Sequence, residues 1–167
     1  ELCELFTVDK VHSSPARFDM KKLEAINGDK IRALTLDEFL KWSLPFLTKA
    51  GVITGSDAEI ALVKQALPLI QERIVKLDEV PAMLRFLFVK DFAVEEASLS
   101  KVTDSASKEV LKRTLAELTP LTTWNHDSIE AALRASLIEE MGLKPRIAFG
   151  AVRIATTGST ISPPLFE

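Results

Sequence analysis

The sequence predicts an all-α protein, and three observations support that fold class. Apolar residues recur at spacings of three and four over long stretches, as they do on one face of a helix. Several of these stretches begin with residues that cap helices. We find no run of alternating apolar and polar residues that would predict a strand, and no internal repeat. We therefore expect a protein built from packed helices.

Two capping boxes mark helix starts in the first half of the chain. Thr35 is followed by a glutamate three residues later, and so is Ser56, which is the pattern of a reciprocal cap. A proline lies inside each of the helical patterns that follow. We expect Pro45 to interrupt or kink the first helix and Pro68 to bend the second, because proline lacks the N–H that the helix ladder needs.

Three further helices are expected downstream. Asp78 is placed to cap the first of them, which should end near Asp91. The second is expected over roughly residues 107–118, and Asn125 is placed to cap the third, which should end before Gly142. A polar stretch separates the first of these helices from the second. We therefore expect two helical halves that meet in that stretch.

Charge is distributed unevenly along the chain. With 21 basic and 24 acidic residues the net charge is −3, which argues against nucleic-acid binding over the whole surface. Residues 10–32, however, hold six bases and three acids, and residues 141–166 hold three bases and no acid. The closing segment, residues 142–167, is not periodic enough to predict a helix. A fold that brings both basic ends to one face would create a local positive surface; scattered, solvated basic residues are the alternative interpretation.

The composition excludes several classes of protein. No apolar run approaches the roughly 18–20 residues needed to cross a bilayer, so we expect no membrane association. The single cysteine, Cys3, allows no internal disulfide, and with only His12 and His126 beside it no zinc site can be assembled. We therefore expect a cytoplasmic location. We find no glycine-rich phosphate loop and no nucleophile elbow, so nothing predicts a catalytic site.

Two stretches of the chain are specific enough to suggest a family. "SSPARFDMKKLEAINGDKIR", residues 13–32, combines Ser-Pro-Ala-Arg-Phe-Asp with a downstream Asn-Gly and Ile-Arg. "LKPRIAFGAVRIATTGSTISPPLFE", residues 143–167, combines Leu-Lys-Pro-Arg, a Thr-Gly pair and Ser-Pro-Pro-Leu-Phe-Glu. Both resemble segments of bacterial glutamyl-tRNA synthetases. The helices between them fall in the family's order, so the resemblance covers essentially the whole chain.

The resemblance implies an architecture of two consecutive helical subdomains, of the α-helix cage type that binds anticodons in class I aminoacyl-tRNA synthetases. Residues 1–32 would be a remnant of the stem-contact region and linker. Residues 33–98 would form the first anticodon-binding subdomain, and residues 99–167 the second, truncated at its C-terminus. The class I signatures His-Ile-Gly-His and Lys-Met-Ser-Lys-Ser do not occur in the chain.

The resemblance also implies a function. We expect a fragment of a glutamate–tRNA ligase that selects tRNA for glutamate through its anticodon loop. The fragment itself should need no cofactor. ATP and Mg²⁺ would serve the parent enzyme, whose N-terminal catalytic domain would be a partner of this chain. We expect a monomer.

Particular residues are expected to bind the RNA, because they match family positions. Arg73 matches an arginine that distinguishes the third anticodon base, which is C for glutamate and G for glutamine. Arginine has only donors, and the pairing edge of cytosine offers the acceptors N3 and O2 where guanine offers N–H donors, so Arg73 should favour C. The pocket for the first two bases is matched by Arg153 and by a loop with Ser162, Pro163 and Leu165. Other basic residues expected to contact RNA are Lys144, Arg146, Arg17, Lys22 and Arg32.

Small residues precede that loop. Thr157, Gly158 and Ser159 would permit close backbone approach and hydrogen bonding at the pocket. The competing interpretation is a helical protein-interaction module, derived from the same family, that no longer binds tRNA. A salt-dependent affinity for RNA would argue against that alternative. An enzyme of another type has the least support, because no catalytic groups cluster in the sequence.

Overall fold

Helices make up the fold, as the sequence predicts. The computed structural model describes residue 4, residues 7–10 and residues 17–167, and over these parts we find no strand. Cys3, His12 and the Ser-Pro-Ala of the first motif lie outside the described residues. No helix in the described part is long and apolar enough to cross a membrane.

The helices follow one another with short connections. A 3-10 turn precedes the first helix at Val8–Lys10, a second one lies at Leu77–Glu79, and α8 runs directly into a π-helical stretch at Arg134–Glu140. The helices are α1 (Met20–Arg32), α2 (Leu36–Lys49), α3 (Asp57–Ala66), α4 (Pro68–Gln71), α5 (Val80–Phe88), α6 (Glu96–Leu99), α7 (Ser105–Leu118), α8 (His126–Leu133) and α9 (Pro145–Thr157).

Three of the four predicted helix caps are confirmed. The Thr35 hydroxyl accepts a hydrogen bond from the backbone N–H of Glu38, whose carboxylate accepts one from the backbone N–H of Thr35. Ser56 and Glu59 form the same reciprocal pair at the start of α3. The side chain of Asn125 accepts from the backbone N–H three residues on, at 2.9 Å. Each cap satisfies donors that the first helical turn leaves unpaired.

Glu59 does more than close a capping box. Its carboxylate also accepts from the backbone N–H of Gly55 and from the backbone N–H and hydroxyl of Thr54. The hydrogen bond from the Ser56 N–H, followed by that from the Thr54 hydroxyl, lowers the pKa of Glu59 from 4.5 to about 2. The ionised carboxylate therefore holds the loop before α3 against the helix.

We expect Glu59→Gln to be less stable than the unchanged chain at neutral pH, with a difference that shrinks in acid. The folded-state pKa lies below the ordinary value, so the charge stabilises the fold above about pH 4.5 and this contribution is lost as the pH falls toward 2. Urea unfolding of both chains from pH 7 down to pH 2.5 measures the difference. A difference that stays constant over this range would contradict the prediction.

The structure corrects two expectations about prolines and caps in the first half. Pro45 does not interrupt α2, which runs through it; the proline is exposed, so water can satisfy the carbonyl that it deprives of a donor. Asp78 is not the cap of α5, because it lies inside a 3-10 turn and α5 begins at Val80 with Pro81 in its first turn. That helix ends at Phe88, earlier than expected. Pro68, where we expected a bend, separates two helices: α3 ends before it and α4 begins with it.

The closing segment is helical, which the sequence did not indicate. In α9 the buried side chains are small or β-branched, namely Ala148, Ala151, Val152 and Ile154. Ala148, Ala151 and Val152 stand three and four positions apart, at helical spacing, and they let α9 lie close against α7. Gly158 ends the helix with φ +76°, the left-handed conformation that favours glycine. Gly142, at φ +66°, ends the preceding helical stretch as predicted.

The buried apolar residues form two clusters, one in each half of the chain. The first is built around Phe39, Leu67 and Ile74, and the second around Leu133 and Leu137. The halves meet where α9 contacts α5. They are also joined through hydrogen bonds between the residues before and within α6 and the turn after α9: Glu95 N–H to Gly158 O at 3.0 Å, Ser159 Oγ to Glu95 Oε2 at 2.9 Å, and Thr160 N–H to Ser98 Oγ at 3.2 Å.

Candidate nucleic-acid interface

Arg73 lies in the turn that follows α4. Its backbone N–H donates to the carbonyl of Ile70 at 2.9 Å. The next residue, Ile74, is fully buried in the first cluster and anchors the turn in the core. The Arg73 side chain is exposed. The turn therefore holds its backbone still and presents a guanidinium to solvent.

Arg153 lies on α9 and holds the closing loop. Its Nη1 donates to Ser162 Oγ at 2.5 Å and to the carbonyl of Pro163 at 2.7 Å. Ser162 is 3% exposed and Pro163 is buried as well, so these two residues form the inner side of the loop. Leu165, further along, packs against the second hydrophobic cluster. Arg153 thus ties a helix to a proline-rich loop that otherwise has little secondary structure.

The two arginines come from different halves of the chain and act on each other. Burial, and then the positive charge of Arg73, lower the pKa of the Arg153 guanidinium below its ordinary value. Within the described part of the chain, neither arginine forms an ion pair with a carboxylate. Two like charges brought together without a counter-charge repel each other. A negatively charged or acceptor-rich ligand placed between them would relieve that repulsion.

A small cavity opens where the two halves meet, and the loop that Arg153 holds contributes Pro163 to its wall. It has a volume of about 250 Å³, which is smaller than the roughly 300–1,000 Å³ typical of pockets for drug-sized ligands. Its walls are mostly apolar and come from both halves: Ala66, Leu69, Phe86, Leu87, Thr156, Thr157, Pro163, Pro164, Leu165 and Glu167. A cavity of this kind suits a flat, partly apolar group such as a single nucleobase.

A second, larger concavity of about 780 Å³ runs along α9. Three basic residues line it: Arg146 and Arg153 from α9, and Lys101 from the segment before α7. Asp104 also lines it, but its carboxylate caps α7, where the Ser107 N–H and hydroxyl lower its pKa. The structure therefore brings two of the predicted basic residues into one groove. It adds Lys101, which sequence reasoning missed because that residue lies in a polar stretch without a motif.

We find no group of three or more histidine, cysteine, aspartate or glutamate side chains in the described residues that could hold a metal ion.

Comparison with protein families identifies one family that matches most of the chain. The family described as "Anticodon binding domain" matches residues 36–167, which is most of the chain and includes both halves, the arginine pair and the small cavity. The chain belongs to the anticodon binding domain family.

Individual relatives extend the match beyond the family's boundaries. Glutamate–tRNA ligases of Saccharopolyspora erythraea and of Arthrobacter sp. strain FB24 are 44% and 45% identical to the chain, over all of its length. The chain spans about a third of the length of these relatives, 34% in both cases, and it matches their C-terminal part. Helix α1, which lies before the family match, is thus included in the similarity to the relatives.

A solved structure supports the fold. The crystal structure of a glutamate tRNA ligase from Elizabethkingia meningosepticum, in complex with its amino acid, matches with a TM-score of 0.65 and 18% identity. The match covers 96% of this chain and 31% of that protein. At this level of identity the likeness concerns the helical architecture.

The other basic residues named from the sequence lie apart from the arginine pair of the anticodon binding domain, or are already paired. Lys144 is exposed at the N-terminus of α9, close in sequence to the groove. Arg17 and Lys22 are exposed near the start of α1. Arg32, at the end of α1, is bound to Asp29 at 2.7 Å, so part of its charge is neutralised within its own helix.

The small residues after α9 approach another part of the protein. A Cβ built on Gly158 would lie 2.8 Å from Phe92 Cδ2, and Ser159 donates to Glu95. Thr157 donates to the carbonyl of Arg153 at 2.8 Å. The close backbone approach predicted for this segment therefore exists, but it joins the anticodon binding domain's own two halves.

Proposed function

We propose that this chain selects tRNA for glutamate by its anticodon, as part of a glutamate–tRNA ligase. The observation that carries the proposal is the arrangement at the junction of the halves: Arg153 holds Pro163, which lines a cavity of about 250 Å³, and Arg73 of the first half lies close enough to Arg153 to lower its pKa. Family membership and the relatives' names support it. The attachment of glutamate, with ATP and Mg²⁺, is assigned in this proposal to the rest of the enzyme.

The proposed mechanism is direct reading of unstacked bases. Bases in a single-stranded loop can leave the stack and expose their pairing edges to side chains. Arg73, which has donors only, would pair with N3 and O2 of a cytosine in the third anticodon position, where a guanine would present its N1–H and N2–H donors instead. The cavity between the halves would take a neighbouring base against its apolar walls. Arg153 would keep the loop of Ser162, Pro163 and Leu165 in place behind it.

The remaining basic residues are proposed to contribute general attraction for the phosphate backbone. Lys101, Lys144 and Arg146 would attract RNA along the groove, while Arg17, Lys22 and Arg32 would do so from the first helix. Contacts of this kind position the RNA without reading its sequence. We further propose that the protein works as a monomer in the cytoplasm, with residues 1–32 as the linker region, 33–98 as the first anticodon-binding subdomain and 99–167 as the second.

We expect Arg73→Ala to remove the preference for C over G at the third anticodon position. The test measures the dissociation constants of two anticodon stem-loops that differ only in this base, at several salt concentrations. The unchanged chain should favour C by about 1–3 kcal/mol, or roughly 5- to 150-fold, and its affinity for both RNAs should fall with salt. Arg73→Ala should bring the ratio close to one.

Arg85→Ala is a matched control for this experiment. Arg85 is an exposed arginine of the first half that lines a different cavity, so its loss removes one charge and should leave the C preference unchanged. Equal affinity of the unchanged chain for the two stem-loops would overturn the proposed function. Preference retained by Arg73→Ala would remove Arg73 as the reader. RNA binding that is absent at every salt concentration would favour the alternative, a helical protein-interaction module.

A further inference from the structure

Helix α1 lies outside the family match, yet it contacts the turn that carries Arg73. The turn comprises residues 72–76, between α4 and the 3-10 turn at Leu77–Glu79. Its middle is anchored by the buried Ile74, which shares the first hydrophobic cluster with Ile31 of α1. The two ends of the turn are restrained separately, each by a side-chain hydrogen bond between the turn region and the region of α1.

The first end is held by the side chain of Gln71. Its amide nitrogen donates to the carbonyls of Ile31 and Leu34, both at 2.9 Å. The first carbonyl belongs to the last turn of α1, and the second to the short link between α1 and α2. Gln71 is half-buried, and it directly precedes the residues of the turn. The end of α4 is thus fastened to the end of α1.

The second end is held from the opposite direction. The side-chain amide of Asn27 donates to the carbonyl of Val75. The next residue of α1, Gly28, is buried. A Cβ placed on Gly28 would lie 3.2 Å from Val75 Cγ1 and 3.2 Å from the guanidinium nitrogens of Arg32. The absence of a side chain at Gly28 therefore lets α1 come close enough for the Asn27 bond. Lys76 of the turn also forms an ion pair with Glu24 of α1, with Nζ and Oε1 3.6 Å apart.

We propose that α1 is a clamp that positions Arg73, with Asn27, Gly28 and Gln71 as its positioning residues. The inference rests on the proposed function, in which Arg73 reads the third anticodon base. Arg73 makes no ion pair of its own within the described residues, so its direction depends on the backbone from which it extends. Side chains that discriminate between bases must be held within a fraction of an ångström of the right place. The two amide bonds, one on each side of Arg73, supply that restraint.

The experiment compares Gln71→Met and Asn27→Ala with Ser56→Ala in the 167-residue chain. Each clamp variant removes one amide donor. Ser56→Ala removes the cap of α3 in the same half and leaves α1 and the turn untouched, so it controls for a general loss of stability. We expect the C-over-G ratio of dissociation constants to fall roughly three- to tenfold in both clamp variants, and to stay unchanged in Ser56→Ala at a similar unfolding midpoint.

Combination with Arg73→Ala separates positioning from a structural role. If the clamp acts through Arg73, then adding Gln71→Met to Arg73→Ala should change the C-over-G ratio by less than about twofold, because the two substitutions remove one and the same interaction. Two results would overturn the clamp and leave the proposed function standing. One is a clamp variant that keeps the full C-over-G preference of the unchanged chain; the other is a further change in that ratio when Arg73 is already absent. An unchanged chain without a C preference would overturn the proposed function, and the clamp with it.

Discussion

Gly158→Ala is expected to destabilise the chain by about 2–4 kcal/mol, the largest effect that we expect from a single methyl group in this protein. Two costs add at this position. Gly158 has φ +76°, a conformation that L side chains adopt only with strain. The new Cβ would also lie 2.8 Å and 2.9 Å from two ring carbons of Phe92 and 3.3 Å from the carbonyl of Ala93. Urea unfolding measures the loss.

Gly142→Ala is the matched control for this prediction. Gly142 has φ +66° and also ends a helical stretch, but a Cβ there would meet nothing within 4 Å. The control should therefore show only the backbone cost, about 1–2 kcal/mol. If the two variants lost equal stability, the contact with Phe92 would carry no energy. The junction between the two halves would then be looser than the structure indicates.

The Gly158 variant should also weaken RNA binding. The same turn accepts the N–H of Glu95 and precedes the loop held by Arg153. A displaced turn would therefore move one wall of the cavity between the halves. We expect this effect on both anticodon stem-loops alike, since the substitution leaves Arg73 and the turn that carries it unchanged.

Arg153→Met is expected to cost about 1.5–3 kcal/mol of stability, because hydrogen bonds to a charged group are worth about that much. The substitution removes the donor for Ser162 Oγ and for the carbonyl of Pro163, and both residues are buried. It also removes one of the two charges of the arginine pair, so that affinity for either anticodon stem-loop should fall by roughly tenfold or more. Unfolding and binding are measured on the same preparation.

Arg146→Met separates the two parts of that effect. Arg146 lies on the same helix and lines the same groove as Arg153, but it is exposed and makes no hydrogen bond to the closing loop. Its loss should weaken RNA binding and leave the free energy of unfolding within about 0.5 kcal/mol of the unchanged chain. Equal stability of the two variants would mean that Arg153 does not hold the loop.

Much of the fold could be predicted because its determinants are local. The boxes at Thr35 and Ser56 and the cap at Asn125 depend on residues three positions apart, and all three are present in the structure. The family resemblance, based on two motifs near the ends of the chain, is confirmed by the match over residues 36–167. Helix α9 was missed although Ala148, Ala151 and Val152 stand at helical spacing, and although Pro145 and Gly158 are placed to begin and end a helix.

The candidate site could be predicted only as separate pieces. The sequence singled out Arg73 and Arg153 by resemblance. It could not show that the two lie near each other, or that the Arg153 guanidinium donates hydrogen bonds to the closing loop. It drew no attention to Gln71, whose hydrogen-bond partners lie far away along the chain. Nor did it point to Lys101, which lies in a polar stretch without a motif. Whether the named residues bind RNA stays a prediction, to be tested by the substitutions above.

The sequence by itself determined the helical class, the caps at Thr35, Ser56 and Asn125, the helix end at Gly142, and the family, because each depends on nearby residues or on a continuous motif. Only the tertiary structure decided which basic residues share a surface, which are buried, and how α1 brackets the turn of Arg73. Those relations join residues about 40–80 positions apart, such as Gln71 with Ile31 and Arg73 with Arg153. They follow from the packing of whole helices, which no short stretch of sequence encodes.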